Sequence, residues 1–302
     1  MTEMTDASAA KEKNFAALSS VVAAIGLTTF KVIVGVLTGS LGILAEAAHS
    51  ALDLVAALVT FFAVKVSGKA PDKEHPYGHG KVENLSALFE TLLLLATCVW
   101  IVYEAINRLT GKAVEVDITA WAFIVMITSI IIDFSRSRVL SAAAKKHNSQ
   151  ALEADALHFS TDIWSSCVVI LGLICVKLSE VVPSLHWLRQ ADSIAALGVS
   201  AIVAYVSIQL GIRTVYGLLD STPAGLDDKV RDIAMSVEGV SDCHHVRIRT
   251  SGPGLFADVH IRVDPNMTVA AAHEITLLIQ SKAKKEIPGM DMVVHVEPAK
   301  EK

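Results

Sequence analysis

EAAHSALD, residues 46–53, and DALHFSTD, residues 155–162, carry one spacing twice. Each reads acid, histidine three residues on, aspartate four further: Glu46, His49 and Asp53, then Asp155, His158 and Asp162. Both lie in segments that are otherwise apolar. On a helix, residues four apart share a face. His49 and Asp53 then point at one spot, and so do His158 and Asp162. Two such helices facing each other supply two imidazoles and two carboxylates, a complete tetrahedral set for a first-row divalent cation, and zinc suits it. An ionised aspartate near the middle of a bilayer costs about 2.5–3.5 kcal/mol, and polar groups in spans usually face the bundle and mark an ion path. Two matched pairs therefore point to an ion site rather than to simple hydrogen bonding between helices. Glu46 and Asp155 sit on the same broad faces. They read equally as supporting groups of the site and as residues paired elsewhere.

Composition agrees with membrane spans. The 302 residues are 52% hydrophobic and 19% charged, against about 25% charged in soluble domains, and the mean hydropathy is +0.50. A net charge of −5 argues against nucleic acid as a partner. Cys98, Cys167, Cys175 and Cys243 form no CxxC pair, and three of them lie in apolar runs where a free cysteine behaves as a small hydrophobe. No cleavable signal peptide is evident.

A helical span needs about 20 mostly apolar residues. Six segments qualify: 15–38, 41–66, 84–107, 117–135, 155–178 and 191–216. Positive charge gathers in the N-terminal tail (Lys11, Lys13), after the second span (Lys65, Lys69, Lys73, Lys81) and after the fourth (Arg136, Arg138, Lys145, Lys146). The other side has only Arg108, Lys112, Lys177 and Arg189. The charge bias places both termini in the cytoplasm of a multi-pass cell-membrane protein. The expected division is a cytoplasmic tail over 1–14, a six-helix transport domain over 15–217 and a cytoplasmic metal-binding and dimerisation domain over 218–302.

After Asp220 the pattern changes. An amphipathic helix is followed by CHHVRIRT and LFADVHIRV, which alternate like half-buried strands around the turn signal SGPG. Residues 268–286 read as a helix and MDMVVHVEP as a last strand. The order αββαβ predicts a small α+β domain with one antiparallel sheet. At about 80 residues its core is modest, and association would reinforce it.

Further histidines extend the ligand inventory. The loop PDKEHPYGHGKVE offers Asp72, His75 and His79, either a second metal site or a solvated loop. Gly78 and Gly80 permit tight backbone geometry there. His244, His260 and His295 each fall on a predicted strand, with Glu297 beside the last and His245 and His273 nearby. His147 and His186 read as interfacial.

LAEAAHSALD (44–53), HPYGHGK (75–81) and ADALHFSTD (154–162), in this order and followed by a histidine-bearing α+β tail, resemble the cation diffusion facilitator family of metal–proton antiporters, in its bacterial zinc and iron efflux form. The resemblance covers residues 15–298. It implies a ferredoxin-like cytoplasmic domain, a homodimer, and a transport site at His49, Asp53, His158 and Asp162, with the histidine at position 49 favouring zinc over manganese. It further implies a loop site at Asp72, His75 and His79. A cytoplasmic cluster at His244, His260 and His295 follows too, with His273 nearby and Glu297 where many bacterial relatives have aspartate. The lysine of the HGK motif pairs in some relatives with an acid in the first span. No acid stands in that span here, so Lys81 is left without that partner.

The function so implied is a secondary transporter, not an enzyme. It exports a divalent cation, most readily Zn2+, in exchange for protons by alternating access, since the ligands are also proton acceptors. The alternatives are a membrane metal sensor or scaffold that has lost transport, and a membrane di-metal oxidase. An oxidase needs many histidines at one membrane face, and the mixed His/Asp set within spans counts against it.

Overall fold

The computed structural model describes residues 2–109, 120–181 and 191–299. Lys112, His186 and Arg189 lie outside the described residues, as do the side chains of Arg108, Cys175 and Lys177. Six long helices lead: α1 (Thr2–Thr38), α2 (Leu41–Ser67), α3 (Lys81–Leu109), α4 (Ala120–His147), α5 (Gln150–Val181) and α6 (Ala191–Leu218). A short α7 (Leu226–Met235), β1 (Asp242–Ser251), β2 (Gly254–Val263), α8 (Val269–Glu286) and β3 (Met290–Pro298) follow. Two compact units result, one of Met1–Lys69 with Val82–Thr214, the other of Ala70–Lys81 with Val215–Lys302.

In the first unit α1 packs on α2 and α4, α4 on α5, and α2 on α5. Small residues line the contacts: Ala16, Ala17, Ala144, Ala151 and Ala156 are buried with Val64, Leu140, Leu152 and Phe159. Side chains this small let helix axes approach closely. Ser40 caps α2, its hydroxyl accepting the Ile43 N–H, and satisfies one of the donors that a helix start leaves open.

Among the described helices, Ser8–Thr38, Ile43–Ser67, Lys81–Asn107 and Ala196–Leu218 are long and apolar enough to cross a membrane by length and composition. The unit has large apolar side chains outside, among them Leu52, Phe62, Leu92, Trp100, Ile131 and Ile202. Its buried positions include Lys13, Lys31, Glu83, Glu90, Asp133, Asp155 and Arg136. Hydrocarbon tolerates the first set, and the second needs internal partners. The Arg136 guanidinium lies 3.4 Å above the centre of the Phe159 ring, donates to Asp133 at 3.2 Å and to Ser20 at 3.1 Å, and so ties α4 to α5 and α1.

α1 begins at Thr2, well before the expected start near residue 15. Lys13 explains the extension. It is buried, with Nζ 2.7 Å from Glu83 Oε1 on α3. Glu83 also accepts from Ser67 Oγ at 2.6 Å and from Ser149 Oγ. A fully buried carboxylate with three donors holds α1 at Lys13 against α3.

The second unit holds a three-stranded sheet in the order β1-β2-β3. β1 and β2 form the expected antiparallel hairpin, but β2 and β3 are parallel, so the sheet is mixed rather than wholly antiparallel. The reason is the intervening helix: α8 carries the chain back to the end where β2 began, and β3 then runs in the same direction. One face is a core of Val230, Ile233, Cys243, Ile248, Val259, Ile261, Ile275, Ile279 and Met292. Burial raises the pKa of the Cys243 thiol, which leaves it inert packing there.

Loop 70–81 belongs to this unit. Tyr77 stands edge-on to Phe256 of β2 with centroids 5.3 Å apart, and Arg249 of β1 lies 3.9 Å over the Tyr77 ring. At Gly80 a Cβ would come within 2.2 Å of the Ser251 carbonyl oxygen at the hairpin turn, so only glycine permits this approach. Lys81 finds its acid after α6: Nζ is 2.8 Å from Asp220 Oδ1 and also donates to the Leu218 carbonyl. The Gly80→Ala variant is expected to lift the loop from the hairpin at a cost of about 1–3 kcal/mol. A lower Tm in detergent, with faster proteolysis within residues 70–81, checks this.

Candidate metal centres

Within the helical unit, α2 and α5 bring the two triplets together. Asp53 Oδ1 lies 3.2 Å from His158 Nε2 and 3.9 Å from His49 Nε2. Asp162 Oδ2 is 3.6 Å from His158 Nε2. Ligand atoms of His49, Asp53 and Asp162 all fall within 4.8 Å of one another. The i, i+4 spacing works as expected on each helix, and the two faces meet. His158 is buried, while the His49 side chain is 45% exposed. His158 Nε2 stands beside both aspartates, so the four side chains offer two nitrogens and two carboxylates, donor types that suit a tetrahedral divalent ion.

Glu46 and Asp155, left open by sequence, have partners elsewhere. Lys31 Nζ lies 3.2 Å from Glu46 and donates to Ser50 at 2.8 Å. Asp155 is fully buried and accepts from Ser20, the residue Arg136 also holds. Glu90 of α3 is not among the sequence-derived candidates, yet its buried carboxylate faces His158, with Oε2 3.9 Å from Nδ1. The signal was available: an acid in the apolar run LFETLLLL is costly unless used.

In the second unit Asp72, His75 and His79 converge. Asp72 Oδ1 lies 3.4 Å from His75 Nδ1 and Oδ2 lies 3.3 Å from His79 Nε2, and ligand atoms of all three fall within 4.8 Å of one another. Asp72 caps its own turn, accepting backbone N–H groups of His75 at 2.7 Å and Glu74 at 3.0 Å. These bonds, that of His75 foremost, hold its carboxyl below the usual range and keep it a ligand-ready anion. The loop docks on the sheet through Tyr77 and Gly80 while residues 71–77 stay exposed, and Gly78, at φ +80°, makes the turn between the histidines.

A third group sits on the sheet face away from the core. Register pairs His244 with His260 across β1–β2 and His260 with His295 across β2–β3, so three imidazoles form one row. Glu297 joins them, Oε1 3.0 Å from His260 Nδ1 and Oε2 3.3 Å from His244 Nε2. The His260 hydrogen bond chiefly, with the charges of the histidines and Arg262, lowers the Glu297 pKa. His245 enters as well. A bulge between His244 and Arg247 puts His245 at φ +48°, in the left-handed region unusual for a side chain of this size. The normal alternation would send it to the core face. Its ring instead stands 5.0 Å from His244 and 5.3 Å from His260. Two ligand triads share His260: His244–His245–His260 and His260–His295–Glu297. His273 lies on α8 beside Thr276 and is not part of either. His147 pairs with Glu12 at 2.9 Å.

With this geometry in hand, comparison with known proteins is direct. The signature of the cation efflux transmembrane domain matches residues 17–219, and that of the cation efflux protein cytoplasmic domain matches 224–299. The chain belongs to the cation diffusion facilitator family. Relatives in the family include the cation-efflux pump FieF of Salmonella arizonae, 29% identical over 94% of this chain and 92% of that protein. Metal tolerance protein C1 of Arabidopsis thaliana is 32% identical over 91% of this chain and 60% of that longer protein. Among solved structures, the metal-bound C-terminal domain of the CzcD transporter from Thermotoga maritima is similar, with 32% identity over 25% of this chain and 94% of that one and a TM-score of 0.23. Cation diffusion facilitators are transporters, and metal cation efflux through a multi-pass membrane protein is the activity of this family.

At the bulge, backbone stability and a ligating role for the imidazole can be tested apart. Asparagine tolerates the left-handed backbone but offers no imidazole. His245→Asn is expected to leave Tm unchanged within error and to weaken zinc binding at the sheet several-fold. Calorimetry on the purified full chain, alongside thermal unfolding without metal, reads both.

Proposed function

We propose that this protein is a zinc-exporting secondary transporter that exchanges cytoplasmic Zn2+ for protons at His49, Asp53, His158 and Asp162. The observation that carries this reading is that α2 and α5 bring ligand atoms of His49, Asp53 and Asp162 together, with His158 Nε2 beside both aspartates. Two neutral imidazoles with two carboxylates match the ligand preference of zinc, and each must shed its proton before it binds metal. Metal and proton therefore compete for the same atoms. The transport cycle loads metal from the cytoplasm, turns the site outward and releases metal as protons arrive. In this reading all six long helices cross the membrane and both termini are cytoplasmic. The αββαβ unit is a ferredoxin-like domain that dimerises with a second copy and binds regulatory metal at the loop and sheet clusters.

Asp53→Ala and Asp162→Ala are each expected to abolish zinc transport into proteoliposomes with an internal pH reporter, while the variants still insert and elute as the parent does. A properly inserted variant that moved zinc at the parent rate would remove the four-ligand assignment. Selectivity gives a separate check. A carboxylate is a harder ligand than imidazole, so His49→Asp is expected to broaden the range toward cadmium or manganese in a competition panel.

A further inference from the structure

The transport-site reading leaves one buried group unused. Glu90 is fully buried on α3, where an unpaired carboxylate is costly. One of its oxygens is engaged: Oε1 accepts from Thr60 Oγ1 of α2 at 3.3 Å. The other, Oε2, has no hydrogen-bond partner, and neither has the buried Nδ1 of His158. These two orphans face each other at 3.9 Å. On the far side of the same ring, Nε2 looks at Asp53 and Asp162.

The orientation matters because an imidazole binds metal through an unprotonated nitrogen. With the ion at Nε2, the ring hydrogen must sit on Nδ1, where it needs an acceptor. Metal-ligating histidines commonly donate that N–H to a carboxylate, which fixes tautomer and ring angle. The group that would accept it here is Glu90 Oε2, at 3.9 Å about 1 Å of closure from a normal hydrogen-bond length (~2.9 Å).

We propose that Glu90 is the positioning residue of the transport site: anchored by Thr60, it accepts the Nδ1–H of His158 and presents Nε2 to the metal. The chain from Thr60 through Glu90 and His158 to the ion then joins α2, α3 and α5, so α3 takes part in the site without supplying a ligand. This rests on His158 being a ligand, as proposed above.

Zinc titration of the full chain in detergent tests it, with the transport-site component taken as the binding that Asp162→Ala removes. Glu90→Leu is expected to weaken that component about 10–100-fold, the usual cost of losing such a partner. Glu90→Gln, whose amide oxygen still accepts, should stay within a few-fold of the parent. Thr60→Val, which releases the anchored oxygen, should show a smaller loss and serves if Glu90→Leu fails to insert. In a His158→Ala background, Glu90→Leu should cost nothing further, because the interaction is already gone. An equal loss in both backgrounds would mean a packing role and overturn the proposal. So would parent-like binding by Glu90→Leu while His158→Ala is weakened. Parent-like binding by His158→Ala would overturn the site reading itself.

Discussion

A carboxylate placed where no water reaches it must have a partner, and that requirement organises the helical unit. Glu83 collects Lys13, Ser67 and Ser149. Asp133 takes Arg136, which also stacks on Phe159 and holds Ser20. The same need acts on a buried cation: Lys31 lies between the exposed Glu46 and the buried Ser50. Each of these links joins residues far apart in sequence or successive turns of one helix to its neighbour. Together they let a bundle with an apolar outside carry a charged inside. The penalty for breaking such a buried pair is large, about 3–5 kcal/mol, while its net contribution over an apolar pair is small. Their value therefore lies in specifying which helix faces meet.

The four candidate ligands differ from these groups. Asp53 and Asp162 pair with histidines, and a histidine gives up its proton far more readily than lysine or arginine. A cation can replace those protons without stripping the carboxylates of their counter-charge. The structural pairs use permanent cations, and the candidate transport site uses exchangeable ones. That contrast in donor chemistry separates the site from its scaffold.

The sheet solves a different problem. Its candidate ligands come from three strands, and the alignment of His244, His260 and His295 follows from register. Strand periodicity alone puts alternate residues on one face. The bulge at His245 breaks that period by one residue, which adds an imidazole to the outer face and returns Val246 and Ile248 to the core side. A local backbone irregularity thus serves packing and gathers a further imidazole at the candidate site.

Much of this was legible in the chain itself. Hydropathy marks the long helices, the 3.6-residue period pairs His49 with Asp53 and His158 with Asp162, and alternation marks three strands with a histidine on each. These are properties of local spacing, and local spacing is what a sequence states directly. Other features were decided only in three dimensions. β3 runs parallel to β2 because α8 returns the chain to the start of β2, a matter of connection and not of strand composition. Lys13 is buried because Glu83, 70 residues away, needs its charge. Lys81 finds Asp220 because loop 70–81 docks on the hairpin, and that docking turns on the absence of a single Cβ at Gly80. His245 joins the cluster through one left-handed residue, and Glu90 meets His158 because α3 lies against α5. Spacing along the chain reports which side chains share a face. Which faces meet depends on pairing buried charges across the whole bundle, and no short stretch contains both partners.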